Sequence, residues 1–179
     1  LAAQTGAANF ANANRSALTH RLRQTLATEI DVETRLLYDV SHNIAKIEDH
    51  VIHGKTCTCC VHRKGATRAL PGQPVLVPGD MGTGSWLLEG KEGNRAFSSS
   101  CHGAGRLLSR SQAKKQIDGK ALKRELESRG IRIHANTSNI ISEEAPDAYK
   151  DVDEVIGLTN SAGLTKPIAR MMPLAVIKG

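Results

Sequence analysis

The chain has 179 residues, of which 40% are hydrophobic and 23% charged, a composition typical of globular rather than disordered proteins. Its formal net charge of +6 is compatible with a polyanionic partner, whereas an aromatic content of 3% argues against a stacking platform for several bases. The sequence has no apolar run of membrane-spanning length and no evident signal peptide, so we expect no membrane partner and a cytoplasmic location. Because the chain opens with Leu1, we expect a fragment of a longer protein.

The N-terminal fifty residues have the composition and spacing of helices. Alanine is frequent between residues 2 and 13, and leucine recurs every four residues from Leu18 to Leu26. Asp31 is a candidate N-cap for a second helix over residues 32–38. We therefore expect helical structure from residue 1 to about residue 50.

The segment 41–50 carries the first candidate ligands. His42, Asn43, Lys46 and His50 fall at helix-like spacing, although the first three residues of the segment could equally be a strand end. The three basic side chains could form a face that binds a metal ion or phosphate. Spacing alone favours a solvated polar face.

Residues 53–68 are predicted to form a polar loop. Cys57, Cys59 and Cys60 lie there between two histidines, but zinc needs four ligands and the CxCC spacing lacks the usual CxxC pair. Reduced cysteines in a loop are therefore the preferred interpretation, and they fit an intracellular setting. Lys64 follows in a basic segment that is a candidate phosphate contact.

Residues 71–90 predict two short strands around a glycine-rich turn. The apolar run Val75–Val77 stops at a Pro-Gly pair, and apolar residues resume at Trp86. The turn is not a Walker loop, because the GK[ST] ending is absent. Asp80 in this turn could be a base, a ribose-hydroxyl acceptor or a turn residue, of which the last is the commonest role.

The segment 98–110 concentrates most of the candidate chemistry. His102 precedes Gly103 and Gly105, and a turn with two glycines can bring backbone N–H groups close to an anion. The histidine could be a nucleophile on phosphorus, a general base or a metal ligand. An ordinary turn whose histidine caps a helix is an equally simple interpretation.

Two arginines follow this turn at a spacing of four residues. On a helix that starts near Ala104, Arg106 and Arg110 would share one face. Their guanidinium groups would then point together at phosphate or carboxylate.

The C-terminal part mixes helices and strands. The sequence predicts a helix from Asp118 to Ser128 that ends at Gly130, and a strand over 131–135. A turn at Pro146, a helix over 152–158 and a final strand within 166–177 follow. Because these elements lack βαβ regularity, we predict an α+β fold.

Several motifs taken together resemble the C-terminal portion of the RtcB-type RNA ligases, over essentially the whole chain. The motifs that carry the resemblance are ANFANANR (8–15), HNIAK (42–46), HRKGATRA (62–69), PVLVPGDMGTGSW (74–86), CHGAGR with SR (101–110), EEAPDAYKDVDEV (143–155) and the closing IKG (177–179). Residues 1–179 would then be the C-terminal portion of a single catalytic domain of the RtcB type, with the N-terminal part absent.

This resemblance implies a GTP- and Mn²⁺-dependent RNA ligase that acts in tRNA splicing and RNA repair. Such an enzyme joins an RNA 3′-phosphate or 2′,3′-cyclic phosphate to a 5′-hydroxyl through a histidine–GMP intermediate. The implied partners are RNA and the activator archease. Because the metal ligands of the family lie largely upstream of Leu1, we expect the fragment alone to be inactive.

The resemblance also implies a role for individual positions. His102 corresponds to the histidine that takes GMP, and His42 to a Mn²⁺ ligand, while Arg106 and Arg110 would hold RNA or triphosphate oxygens. The positions that correspond to nucleotide contacts are Asn43, Pro78, Gly79, Asp80, Met81, Ser85, Gly103, Ala104, Gly105, Tyr149 and Lys178.

Two alternatives remain open at the level of sequence. Asp80 stands where the family more often has serine, and a carboxylate close to phosphates is repulsive. The chain could therefore belong to a non-catalytic RNA-binding paralogue with an altered nucleotide pocket. A small zinc module built on Cys57, Cys59 and Cys60 is a third hypothesis.

Overall fold

The computed structural model describes residues 1–178, with side chains described as far as Val176. The chain divides into two compact units, the first from Leu1 to Arg68 and the second from Ala69 onward. The prediction that residues 1–179 are part of one catalytic domain concerns the whole protein and stays a prediction.

The first unit contains one long helix and three strands. They are α1 (Ala2–Ile30), β1 (Asn43–Ile52), β2 (Lys55–Lys64) and β3 (Ala66–Arg68). Helix α1 ends because Asp31 adopts a left-handed backbone with φ of 53°, from which its N–H donates to the carbonyl of Leu26. The prediction of a second helix over 32–38 is wrong, since Asp31 closes α1 and residues 31–41 have no helix or strand.

Strands β1 and β2 form an antiparallel hairpin, with Asn43 opposite Lys64 and Ile52 opposite Lys55. Its two-residue turn, His53-Gly54, has φ of 49° and 76°, and positive φ at both positions matches the twist of the strands. The prediction of a polar loop over 53–68 is therefore wrong, as is that of a helix reaching residue 50. The alternative of a strand boundary near residue 43 agrees with the structure.

The second unit contains the remaining elements. They are β4 (Pro74–Val77), β5 (Ser85–Gly90), β6 (Ser99–Cys101), α2 (Arg110–Gln116), α3 (Gly119–Ser128), β7 (Arg132–Ala135), α4 (Ser138–Glu143), a 3₁₀ turn (Pro146–Ala148), α5 (Val152–Ser161), β8 (Thr165–Met171) and β9 (Ala175–Lys178). Strands β4, β5 and β8 form an antiparallel sheet, and β7 pairs with β9 in parallel. The mixture of helices and strands confirms the α+β prediction.

Two apolar clusters support this unit. One joins Val75 and Leu88 of the three-stranded sheet to Ile156 of α5. The other packs Met81 against Leu126 of α3 and against residues of β7 and α4. Met81 lies in the loop that connects β4 to β5. The first cluster packs around the strands at the two ends of this loop, and the second packs around Met81 in its middle.

Polar caps fix the starts of the helices. Asp118 accepts hydrogen bonds from two N–H groups at the start of α3, as predicted, and Gly130 follows its end with φ of 82°. Ser109 and Gln112 form a reciprocal capping box at the start of α2. The prediction of a helix from Ala104 is wrong, because this cap places the first helical residue at Arg110.

Trp86 of β5 ties the sheet to α5. Its indole N–H donates to Asp153 Oδ1 over 2.7 Å, and Arg170 of β8 donates to both carboxylate oxygens of Asp153. Strand β5 is thus linked to its neighbour β8 and to the first turn of α5 through one carboxylate. Among the described helices, none is both long and apolar enough to cross a membrane.

Candidate functional site

A cavity of about 470 Å³ lies in the second unit where three separate segments meet. The β4–β5 loop, the segment that follows β6 and the segment between α4 and α5 contribute its lining. The residues that line it are Pro78, Gly79, Asp80, His102, Gly103, Ala104, Gly105, Arg106, Arg110, Glu144, Tyr149 and Val152. Ten of these twelve are candidates from the sequence, and Glu144 and Val152 are additions.

The β4–β5 loop is closed tightly on itself. The N–H of Gly79 donates to Ser85 Oγ over 3.0 Å, and a Cβ at Gly79 would lie 2.1 Å from the carbonyl oxygen of Gly84. Met81 is 1% exposed and anchors the loop in the apolar cluster below it. Ser85 and Met81 therefore hold the loop, whereas Gly79 and its neighbours line the cavity.

The carboxylate of Asp80 is engaged by its own loop. Its Oδ1 accepts from the N–H groups of Gly82 and Thr83 over 2.8 and 2.9 Å, and its Oδ2 accepts from the hydroxyl of Thr83 over 2.9 Å. These contacts match the turn role that the sequence made the commonest one. Three hydrogen bonds from its own loop thus hold the carboxylate of Asp80 at the cavity wall.

The turn after β6 presents His102 to the cavity. His102 is half-buried, and the glycine after it has open space, since a Cβ at Gly103 would find only the carbonyl oxygen of Pro78 at 4.0 Å. Gly105 has φ of 82°, a conformation that disfavours a side chain. Burial raises the pKa of the neighbouring Cys101 thiol, so this residue is a neutral apolar support at physiological pH.

Arg106 is bound on several sides by the protein. Its Nε donates to the carbonyl of Leu108 over 2.9 Å, its Nη1 to the hydroxyl of Tyr149 over 2.7 Å, and its Nη2 to the carbonyl of Glu143. The guanidinium carbon also lies 4.6 Å from the centre of the Tyr149 ring. Most donors of this guanidinium are therefore already satisfied.

Arg110 differs from Arg106 in exposure. Its side chain is 70% exposed, and its Nε lies 3.7 Å from Glu143 Oε2 and 3.6 Å from Glu144 Oε1. The prediction that the two arginines share a helix face is wrong, because Arg106 lies before the first residue of α2. Both side chains nevertheless lie close to the carboxylate of Glu144. At such long, exposed contacts Arg110 remains available to an incoming anion.

Tyr149 closes the cavity on the side of α5. Its hydroxyl donates to Glu144 Oε2 over 2.5 Å. Burial, together with the hydrogen bond to Glu144, raises the pKa of Tyr149 to about 12. The phenol therefore stays protonated throughout the physiological range and keeps its hydrogen bond to Glu144.

Three further predicted site residues, His42, Asn43 and Lys64, lie in the first unit. Asn43 and Lys64 face each other across the β1–β2 hairpin, where both are exposed. His42 lines a cavity of about 310 Å³ with Asn43 and Arg15, and Arg15 donates to Asp39 over 2.6 Å. The residues before β1 are thus fixed to α1 through polar contacts within this unit.

The described side chains can be compared with the metal sites that the sequence suggested. Within residues 1–176 no group of three or more His, Cys, Asp or Glu side chains is arranged to hold a metal ion. Strand alternation places Cys57 and Cys59 on one face of β2 and Cys60 on the other, which separates the zinc ligands that the sequence suggested. The side chain of Lys178, the predicted guanine contact, lies outside the described residues.

Comparison with known proteins assigns the family. The sequence profile described as "tRNA-splicing ligase RtcB" matches residues 1–179. The chain belongs to the RtcB family. The RtcB proteins similar to it include the "RNA-splicing ligase RtcB" of Mycobacterium tuberculosis, which is 49% identical over 192 residues, 100% of this chain and 44% of the relative.

Archaeal RtcB proteins match nearly as well. The "tRNA-splicing ligase RtcB" of Thermococcus kodakarensis is 47% identical over 197 residues, which cover 99% of this chain and 41% of the relative. That of Archaeoglobus fulgidus is 43% identical over 198 residues, with 99% and 41% covered. The chain therefore spans less than half the length of these relatives.

Proposed function

We propose that the whole protein is a GTP- and Mn²⁺-dependent RNA ligase that joins RNA 3′-phosphate or 2′,3′-cyclic phosphate ends to 5′-hydroxyl ends. This chain would be its C-terminal portion, and RNA its substrate in tRNA splicing or repair. The observation that carries the proposal is the convergence of His102, its glycine turn, Arg110 and Tyr149 on one cavity. The names of the relatives support the ligase class.

The first step would be nucleophilic attack by His102. A ring nitrogen donates its lone pair to the α-phosphorus of GTP, a P–N bond forms, and the bond to the bridging oxygen breaks as pyrophosphate leaves. An oxygen of the RNA 3′-phosphate then attacks the same phosphorus, which breaks the P–N bond and restores the imidazole. Finally, the 5′-hydroxyl oxygen attacks the RNA 3′-phosphorus, its proton passes to solvent, and the bond to GMP breaks as GMP leaves.

The lining residues can bind and orient these groups. The N–H groups of the 103–105 turn would meet phosphate oxygens, and Arg110 would neutralise charge that builds up near His102. The loop of Pro78, Gly79 and Asp80 would line the part of the cavity that receives the nucleoside. Tyr149 would offer an aromatic ring and a hydroxyl to the base, with Lys178 as a further contact.

Manganese would supply a cation that screens the crowded phosphates and assists departure of pyrophosphate. His42 is the ligand that this chain would contribute, and Asn43 a neighbouring nucleotide contact. One imidazole does not make a divalent-metal site, so the remaining ligands would come from other parts of the whole protein. We therefore propose that this chain alone does not guanylylate His102 at the rate of the whole protein.

Labelling tests the proposal directly. The whole protein is incubated with α-labelled GTP and Mn²⁺, and the product is analysed by denaturing gel and intact mass. We expect one GMP per chain, acid-labile, absent in His102→Ala and retained in His134→Ala, whose histidine lies exposed on β7. Archease added to the reaction would show whether an activator is required.

An unlabelled protein that still binds RNA would contradict the proposal. Salt-sensitive RNA binding without GMP transfer would then favour the non-catalytic paralogue, in which Asp80 has altered the nucleotide pocket. Asp80→Ser distinguishes the causes, because it should restore labelling if the carboxylate alone is responsible.

A further inference from the structure

Glu144 occupies a central position in the cavity wall although its sequence context gives it no evident role. It is the C-cap residue that directly follows α4, and its N–H donates to the carbonyl of Ile140 over 3.2 Å. Ile141 in the same helix is 3% exposed and packs in the apolar cluster below. The backbone that carries Glu144 is therefore held by a helix that is anchored through Ile141.

The carboxylate of Glu144 meets three side chains of the site. Its Oε2 accepts from the hydroxyl of Tyr149 over 2.5 Å, and its Oε1 lies 3.4 Å from Arg106 Nη1 and 3.6 Å from Arg110 Nε. Its side chain is 19% exposed, so these contacts are partly shielded from water. One carboxylate thus joins the aromatic side of the cavity to both of its arginines.

Backbone hydrogen bonds show why these contacts of Glu144 matter for the position of His102. The N–H of Leu107 donates to the carbonyl of Ala148 over 2.8 Å, and the N–H of Lys150 donates to the carbonyl of Gly105 over 3.0 Å. The segment that carries the histidine turn therefore runs beside the segment that carries Tyr149. A side chain that fixes Arg106 against Tyr149 also fixes the spacing of these two segments.

We propose that Glu144 is a positioning residue, which orients the hydroxyl of Tyr149 and clamps Arg106, and leaves Arg110 as the arginine that meets the anion. This inference rests on the proposed function insofar as Tyr149 contacts the nucleotide. Glu144 does not touch the reacting atoms. It acts through Tyr149 and Arg106, and its negative charge is offset by the two guanidinium groups beside it.

Nucleotide kinetics in the whole protein test the role. In Glu144→Gln the charge that holds Tyr149 and Arg106 is lost, and we expect KM for GTP in His102 guanylylation to rise about tenfold with kcat nearly unchanged. Glu143→Gln is the matched control, because its side chain pairs with Lys114 and Arg110, while its contact with Arg106 is through the backbone carbonyl, which the substitution keeps. A fall in kcat at unchanged KM would overturn the proposal, since it would place Glu144 at the reacting atoms.

A titration tests the contact without any ligase activity. In the whole protein, subtracting the spectrum of the matching Tyr149→Phe variant from that of each protein lets alkaline difference spectroscopy read Tyr149 alone. We expect Glu144→Gln to let the phenol ionise at lower pH than in the parent, and Glu143→Gln to leave its ionisation unchanged. If Tyr149 ionises at the same pH in the parent, Glu144→Gln and Glu143→Gln, the proposal is overturned. If Glu144→Gln lowers that pH as expected but the parent takes no GMP label, only the ligase function is overturned.

Discussion

The guanidinium of Arg63 meets the carboxylate of Glu48 through two hydrogen bonds, 2.8 Å from Nη1 to Oε1 and 2.7 Å from Nη2 to Oε2. Arg63 lies on β2 and is 2% exposed, and Glu48 lies on β1. The pair therefore links the two strands of the hairpin through a largely buried ion pair. A buried guanidinium without this partner would be strongly unfavourable.

Removal of the carboxylate should destabilise the first unit. We expect Glu48→Ala to lower the free energy of unfolding by about 3 kcal/mol, because Arg63 would stay buried without its bidentate partner. The measurement is urea unfolding followed by circular dichroism. The control is Asp39→Ala, which breaks an exposed pair with Arg15 and should cost about 1 kcal/mol or less. Equal losses would mean that burial of Arg63 does not matter.

The same pair predicts an acid-sensitive stability. The hydrogen bonds from Arg63 hold the pKa of Glu48 below its ordinary value of 4.5. Since the unfolded state takes up the proton first, the contribution of the pair is present above that value and is lost as the pH falls through the lowered pKa. Unfolding free energies measured across this acidic range should decline less steeply in Glu48→Gln than in the parent. An unchanged slope would contradict the prediction.

The β4–β5 loop should tolerate no side chain at Gly79. Its Cβ would lie 2.1 Å from the carbonyl of Gly84, so Gly79→Ala must move backbone, and we expect a loss of about 2 kcal/mol or more. Gly103→Ala meets open space and should change stability by less than about 1 kcal/mol. Thermal unfolding of the two variants provides the comparison. Comparable losses would show that the loop opens easily.

Arg110 should carry the electrostatic contact with RNA at the cavity. In the whole protein, we expect Arg110→Ala to weaken binding of a 3′-phosphorylated RNA oligonucleotide and to reduce the salt slope of log K by about 1. Arg124→Ala, which removes an exposed arginine of α3 that does not line the cavity, should leave the slope nearly unchanged. Titrations at several salt concentrations measure both slopes, and indistinguishable values for the two variants would refute the assignment.

Local signals account for the parts of the fold that the sequence predicts well. Helix α3 lies between Asp118, whose carboxylate caps it, and Gly130, whose positive φ ends it, and both are readable without tertiary contacts. The strands around the β4–β5 turn are similarly marked by a short apolar run and a Pro-Gly stop. These elements follow from the preferences of neighbouring residues.

The hairpin of β1 and β2 could not be predicted in the same way, because its local sequence patterns indicate conflicting structures. His42 to His50 fit a helical spacing as well as a strand, and Cys57 to Cys60 alternate between faces without a clear apolar pattern. The two-residue turn at His53-Gly54 is the one local indication of the hairpin, and a histidine with positive φ is an uncommon first turn residue. The ion pair of Arg63 with Glu48, 15 residues apart, adds a cross-strand contact that local sequence preferences do not show.

The cavity shows the same division between local and tertiary information. Motifs identify the segments that carry His102, Gly79 and Tyr149, because each has a distinctive residue pattern. Glu144 lies in the same motif as Tyr149, but the motif does not show its role, which comes from contacts with Tyr149 and Arg106, the latter 38 residues away in sequence. Such a role becomes visible only when the folded segments are seen side by side.

Trp86 is the single tryptophan of the chain, and its indole N–H is bound to Asp153 in the second unit. The first unit holds no tryptophan, while its helix α1 is the longest of the chain. Tryptophan fluorescence therefore reports on the second unit alone, whereas far-ultraviolet ellipticity reports on the helices of both units. Any difference between the two melting curves would measure, without an added label, how far the units unfold independently.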